Sequence, residues 1–187
     1  MSHIATPYGH RYPWYVRLIF RLQRRNYGQV LEPARLWGRM PRVFLAMSAM
    51  YGTLDRKSSP LAPALRSLVQ VRVSRLNGCS FCADINSASG MRRGVAPEKL
   101  LVLHAAGESP LFTEQEKVAL LHAETMTGNR GDKEAVMARL RQHFSDDAIV
   151  ELTALIAFQN MSSRFNAALG VPAQGFCAVH MSPGPKS

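Results

Sequence analysis

The chain carries its own helix punctuation, and this constrains its fold before any motif is considered. Pro41, Pro63 and Pro97 stand where the first turn of a helix accepts a residue without a backbone N–H. Thr113-Glu114-Gln115-Glu116 has the pattern of a capping box, and Ser145-Asp146-Asp147 offers an N-cap followed by two acids. Gly78, Gly94, Gly107, Gly128, Gly131 and Gly170 close or break the intervening segments. Inside them apolar residues recur at helical spacing: Leu65, Leu68, Val69 and Leu76, then Val118, Leu120 and Leu121, then Ile149, Leu152, Leu155, Ile156 and Phe165. Val71 and Val73 alternate as a strand would, but their run is too long and too often interrupted by arginine. Upstream, Trp14, Leu18 and Leu22 recur every four residues while Arg17, Arg21 and Arg24 line another face, an amphipathic helix expected to pack through its apolar side. The predicted class is all-α. Three stretches follow: a basic helical extension over 1–57, a helical core over 58–170, and a tail over 171–187 with three prolines.

Cys79-Ser80-Phe81-Cys82 opens one of these helices directly after Gly78. Two cysteines at this spacing can close a small disulfide ring, and the free N–H groups of a helix N-terminus favour a thiolate there. A thiol of pKa about 8.5 is only about 3% ionised at pH 7, and lowering it to about 7 takes roughly 2 kcal/mol of local electrostatics. The spacing therefore points to a redox or peroxide-reactive dithiol. Half of a four-ligand zinc site and a pair of small buried apolar residues share the same spacing.

Composition narrows the setting. Of 187 residues, 47% are hydrophobic, enough for a substantial core. No apolar run approaches the roughly 20 residues of a membrane span. Arg17 and Arg21 interrupt Val16 to Leu22, so that stretch lacks the apolar block of an export signal. The acid-poor, arginine-rich start mimics a mitochondrial transit peptide, but Pro13, Trp14 and the nearby tyrosines fit one poorly. Three cysteines with one close pair differ from a secreted disulfide framework, and a reducing cytoplasm is the expected compartment. Charge is uneven: residues 1–60 hold ten basic residues against Glu32 and Asp55, a net +8 out of +10 for the chain. Such an extension suits nucleic acid, anionic lipid or an acidic partner, yet no zinc-finger, RNA-binding or helix-turn-helix signature accompanies it. An arm docked on the body or on a second copy is the expected role.

The segment Arg72-Val73-Ser74-Arg75-Leu76-Asn77-Gly78-Cys79-Ser80-Phe81-Cys82-Ala83-Asp84, followed by Gly94-Val95, resembles the carboxymuconolactone decarboxylase family, and within it the alkylhydroperoxidase D-like members. Phe112 to Glu116, His143 to Asp147 and the stretch from Asn160 to Arg164 extend the resemblance over roughly residues 60–170. It implies an alkylhydroperoxidase D-like helical bundle, assembly as a homo-oligomer, and reduction of a hydroperoxide by the Cys79/Cys82 dithiol. A thiol or dithiol reductant would restore the pair, and neither cofactor nor metal is implied. The redox members carry a glutamate twelve residues before the first cysteine and a histidine four after the second. Here those site positions are Ser67 and Asn86. A hydroxyl and an amide take up no proton near neutral pH. Asn86, at i+4 from Cys82, is expected to orient a thiol or a water, and Ser67 to act through a bridging water. Asp84, at i+2 from Cys82, should point to a different face.

Other arrangements compete. Cys177-Ala178-Val179-His180 joined with Cys79 and Cys82 would make a three-cysteine, one-histidine zinc set. His104 and His122 fall within helical patterns, and either would compensate for Asn86 if carried to the thiols by another helix. Three function classes follow: a thiol peroxidase or disulfide reductase, a redox-sensing or interaction protein on the same scaffold, and lactone decarboxylation. The namesake decarboxylases generally work without a C-x-x-C.

Overall fold

The computed structural model describes residues 2–4 and 10–177. Every regular element among them is helical: α1 (Trp14–Tyr27), α2 (Glu32–Trp37), α3 (Pro41–Leu54), α4 (Pro63–Leu76), α5 (Ser80–Arg92), α6 (Pro97–Leu101), a 3-10 turn (Leu103–Ala105), α7 (Glu114–Gly128), α8 (Lys133–Leu140) and α9 (Asp146–Ala168). The punctuation acts as expected. Thr113 Oγ1 accepts from Glu116 N at 3.2 Å while Glu116 Oε2 accepts from Thr113 N at 2.9 Å, a complete capping box. Ser145 caps α9 through Ala148 N at 3.3 Å. The six-residue α2 was not anticipated, being too short to show a helical period.

α4 is the central element and packs against α5, α7 and α9. Leu68, Val69, Val71 and Val73 on it are all fully buried, so the helix is apolar on nearly every side. That is why Val71 and Val73 mimic a strand. Leu100, Leu103, Val118, Leu120, Leu140, Leu152 and Ile156 complete the main core.

The extension packs on one end of this bundle through its own cluster of Val16, Val30, Ala34, Trp37 and Phe44. Trp37 stacks on Phe165 of α9 with ring centroids 3.7 Å apart. On α1 the inward face is Val16 with Tyr15, Ile19 and Phe20. Trp14, Leu18 and Leu22 are 75%, 47% and 52% exposed, so the apolar face expected to pack is turned outward. The aromatic and branched residues between the leucines form the larger apolar face and win the core.

α4 and α5 form an antiparallel pair that places the cysteines. Gly78 turns between them with φ 65°, a left-handed conformation that glycine adopts without strain. Cys79 N then donates to Ser74 O at 2.9 Å. At the far end the helices approach so closely that a Cβ on Gly90 would lie 3.3 Å from Ser67 Cβ.

Candidate functional site

Cys79 is the N-cap of α5, and its Sγ accepts from Cys82 N at 3.2 Å. The hydrogen bond from the Cys82 thiol holds the Cys79 thiol below its usual value. Burial opposes that shift, and the N–H groups of Cys82 and Phe81 reinforce it. Cys82 moves strongly the other way, because it supplies that proton to Cys79 and because it is buried. Of the two sulfurs Cys79 is thus the readier to ionise, and Cys82 is the one that keeps its proton.

α9 completes the surroundings of Cys82. Asn166 Nδ2 donates to Cys82 Sγ at 3.2 Å, and Gln159 also hydrogen-bonds this sulfur, favouring its ionised form. Gln159 Nε2 donates to Ser74 Oγ at 3.0 Å, and Ser74 Oγ donates to Gln70 O at 2.6 Å. Gln70, Ser74, Gln159, Ser163 and Asn166 are all buried, a polar seam beside the thiols in an otherwise apolar interior.

The pair is roofed. Cys79 and Cys82 are only 1% and 3% exposed, packed with Leu36 of α2, Phe81 and Val171. Residues 171–177 run across α5 as a strap. Its anchor is the buried Asp84 carboxylate, which accepts from Gln174 N at 2.9 Å, Phe176 N at 3.0 Å and Cys177 N at 2.7 Å. Gln174 Oε1 accepts from Glu32 N at 2.9 Å, so strap and extension hold each other. Phe176 meets Phe81 and Tyr27 edge-on.

Of the four site residues read from sequence, Cys79 and Cys82 lie together. Asn86 sits one turn along α5, but its Nδ2 donates to Ser74 Oγ at 3.4 Å. Ser67 lies beside Gly90, eight residues from Cys82 and so about 12 Å along the helix. Its hydroxyl accepts from Arg93 Nη1 at 3.3 Å, and Arg93 in turn pairs with Asp55 at 2.6 Å. Asp84 faces the strap, as its i+2 offset suggested. His122 Nε2 pairs with Thr153 Oγ1 at 3.0 Å, and burial lowers its pKa. Thr153 precedes Asn166 by thirteen residues, about 20 Å along α9, so His122 stands far from the thiols. His180 of the considered zinc set lies outside the described residues. Among the described residues no three potential ligands gather. Gln159, Ser163 and Asn166 went unread, although amides and a hydroxyl interrupting the apolar stripe of α9 were a visible signal.

Residues 41–125 match the carboxymuconolactone decarboxylase family. The chain is 46% identical over 160 residues to the uncharacterized protein YnjA of Escherichia coli (strain K12), covering 84% of this chain and 87% of YnjA. An uncharacterized peroxidase-related protein from Ralstonia eutropha JMP134, described as an alkylhydroperoxidase AhpD core, superposes with a TM-score of 0.82 at 21% identity, covering 94% of each chain. The debrominase Bmp8 superposes with a TM-score of 0.76 at 21% identity, covering 87% of this chain and 88% of its own. With its helical bundle, its cysteine pair at the start of α5 and these relatives, the chain belongs to the carboxymuconolactone decarboxylase family and has the AhpD-like fold.

Proposed function

We propose that this protein is a thiol peroxidase in which Cys79 attacks a hydroperoxide and Cys82 closes an intrachain disulfide. The observation that carries the proposal is the cysteine pair at the start of α5, where the Cys79 sulfur caps the helix and accepts from Cys82 N, a setting that favours its ionised form. In the first step the Cys79 thiolate takes the terminal oxygen of ROOH. The O–O bond breaks, an S–O bond forms, and RO⁻ leaves to become ROH with a proton from solvent. In the second step Cys82 attacks the Cys79 sulfenic acid, an S–S bond replaces the S–O bond, and hydroxide leaves with the Cys82 proton as water. A thiol or dithiol reductant returns two electrons to the disulfide. Neither Ser67 nor Asn86 can act as a general acid toward RO⁻ near neutral pH, so turnover is expected to be slow there.

The AhpD-like fold alone does not select a substrate, and Bmp8 on the same fold is a debrominase. The choice of hydroperoxide rests on the dithiol and on the peroxidase-related relatives. A second assignment, a redox sensor, draws on the near-complete burial of both sulfurs. A reducing cytoplasm suits either. Assembly as a homo-oligomer through the outward faces of α1 and α3 belongs to the same proposal, since Val43, Leu45, Met50 and Tyr51 of α3 are also exposed.

Peroxide consumption with a dithiol reductant tests the activity. The unaltered protein should turn over, Cys79→Ser should be inert, and Cys82→Ser should form no intrachain disulfide and, with the reductant left out, consume one equivalent and stop. A Cys79→Ser protein as fast as the unaltered one would overturn the assignment. One equivalent consumed by the unaltered protein without turnover would favour the sensor.

A further inference from the structure

Asn166 is 2% exposed and makes one side-chain hydrogen bond of consequence, from Nδ2 to Cys82 Sγ at 3.2 Å. Its Oδ1, at the other end of the same amide, is buried and finds no partner among the described residues. Buried amide oxygens are almost always paired, so this one, on the amide that already touches Cys82, has room for one more donor. We infer that Asn166 is a catalytic residue of the disulfide-closing step, donating to Cys82 as that sulfur becomes a thiolate and accepting from the sulfenic hydroxyl formed on Cys79. The inference rests on the dithiol assignment above and adds a residue to it.

The need arises from the order of events. Before reaction the Cys82 thiol faces Cys79 as a hydrogen-bond donor, which favours the thiolate on Cys79 and the proton on Cys82. Once Cys79 is a sulfenic acid, that acceptor is gone. Cys82 must then release its proton and carry negative charge in a buried setting, where an unstabilised thiolate is costly. The side-chain donors facing it come from α9, Asn166 and Gln159. Gln159 divides its amide between this sulfur and Ser74, whereas Asn166 gives Nδ2 to the sulfur and keeps Oδ1 free among the described residues. An amide N–H turned to sulfur suits the thiolate, and the amide oxygen suits a thiol or a sulfenic O–H. When the S–S bond forms, the sulfenic hydroxide leaves as water and the charge on Cys82 disappears.

Single-turnover kinetics with hydrogen peroxide separate the two steps, with dimedone trapping the sulfenic acid and mass spectrometry counting disulfide. Asn166→Leu, which removes donor and acceptor, should leave sulfenic acid formation unchanged and slow disulfide closure by about tenfold, the order of one hydrogen bond to a charged group. Asn166→Asp, which replaces the donor by a carboxylate, should slow closure further, so that trapped sulfenic acid accumulates. Closure at the unaltered rate, or both steps slowed alike, would overturn the inference. Absence of sulfenic acid and disulfide in the unaltered protein would instead refute the dithiol assignment. Should the variants fail to fold, Cys79→Ser protein gives a second measurement. Its Asn166 side-chain amide resonance should move with the midpoint of Cys82 ionisation, and a resonance unmoved by that ionisation overturns the inference.

Discussion

At the scale of residues, the groups that touch the cysteine pair are hydrogen-bond donors from α5 and α9. Cys79 is held below the ordinary thiol value first by the Cys82 thiol and then by backbone N–H groups. Its iodoacetamide reactivity should therefore rise with pH through a midpoint below the usual value of about 8.5. Cys82→Ala removes the side-chain donor and should move that midpoint up, whereas Cys82→Ser keeps an O–H and should move it less. A midpoint indifferent to Cys82 would mean that the Cys82 thiol is not what lowers it. His122 gives a second pH effect, on stability. Burial depresses its folded pKa, so below the unfolded value of about 6.5 the unfolded chain binds the proton more readily and stability falls as pH drops. Above that value the contribution is flat. Thermal melts of His122→Gln between pH 5 and 7.5 should show a shallower acid slope than the unaltered protein.

At the scale of elements, the strap over α5 helps to cover the thiols. Three N–H groups converge on the Asp84 carboxylate, and Asp84→Asn replaces one acceptor oxygen by a donor. Leaving a buried N–H unpaired costs about 1–3 kcal/mol. Alkylation of Cys79 and Cys82 in native protein should then quicken about tenfold, given about 1.4 kcal/mol per factor of ten. Labelling that stays at the unaltered rate would place the route of entry elsewhere. The helix starts were legible because a cap or a proline is a local signal, realised at Thr113, Ser145 and Pro63. The cysteine pair was legible for the same reason. The strap was not, because Asp84 binds it through backbone N–H groups that any sequence supplies. Asn166 and Gln159 were half legible, as amides on an apolar face whose target only the fold reveals. The placing of Ser67 beside Gly90 and Arg93 could not be read from a count of residues to Cys79. Position 67 faces the far end of α5, so Ser67→Glu would set a carboxylate beside Arg93 and Asp55, well away from the thiols.

At the scale of the whole molecule, the extension belongs to the site as well as to the surface. Leu36 helps to roof the cysteines and Trp37 stacks on α9, while α1 turns Trp14, Leu18 and Leu22 outward. Beside that ridge Arg17, Arg21, Arg24 and Arg25 make no ion pair among the described residues. If like copies meet there, salt screens the arginines and association should strengthen as salt rises. Binding to nucleic acid or to anionic lipid would weaken instead. Light scattering across a salt series, repeated with Leu18→Ser and Leu22→Ser, should show a particle mass that rises with salt and falls in the variants. A mass indifferent to both would exclude α1 from the contact.

The proposed activity stands or falls on the fate of two sulfurs. Reduced protein treated with one equivalent of hydrogen peroxide should lose two thiols per chain. Mass spectrometry should find the matching loss of two hydrogens in the peptide that holds both Cys79 and Cys82, reversed by dithiothreitol. Peroxide left unconsumed, or oxidation confined to Cys177, would contradict it.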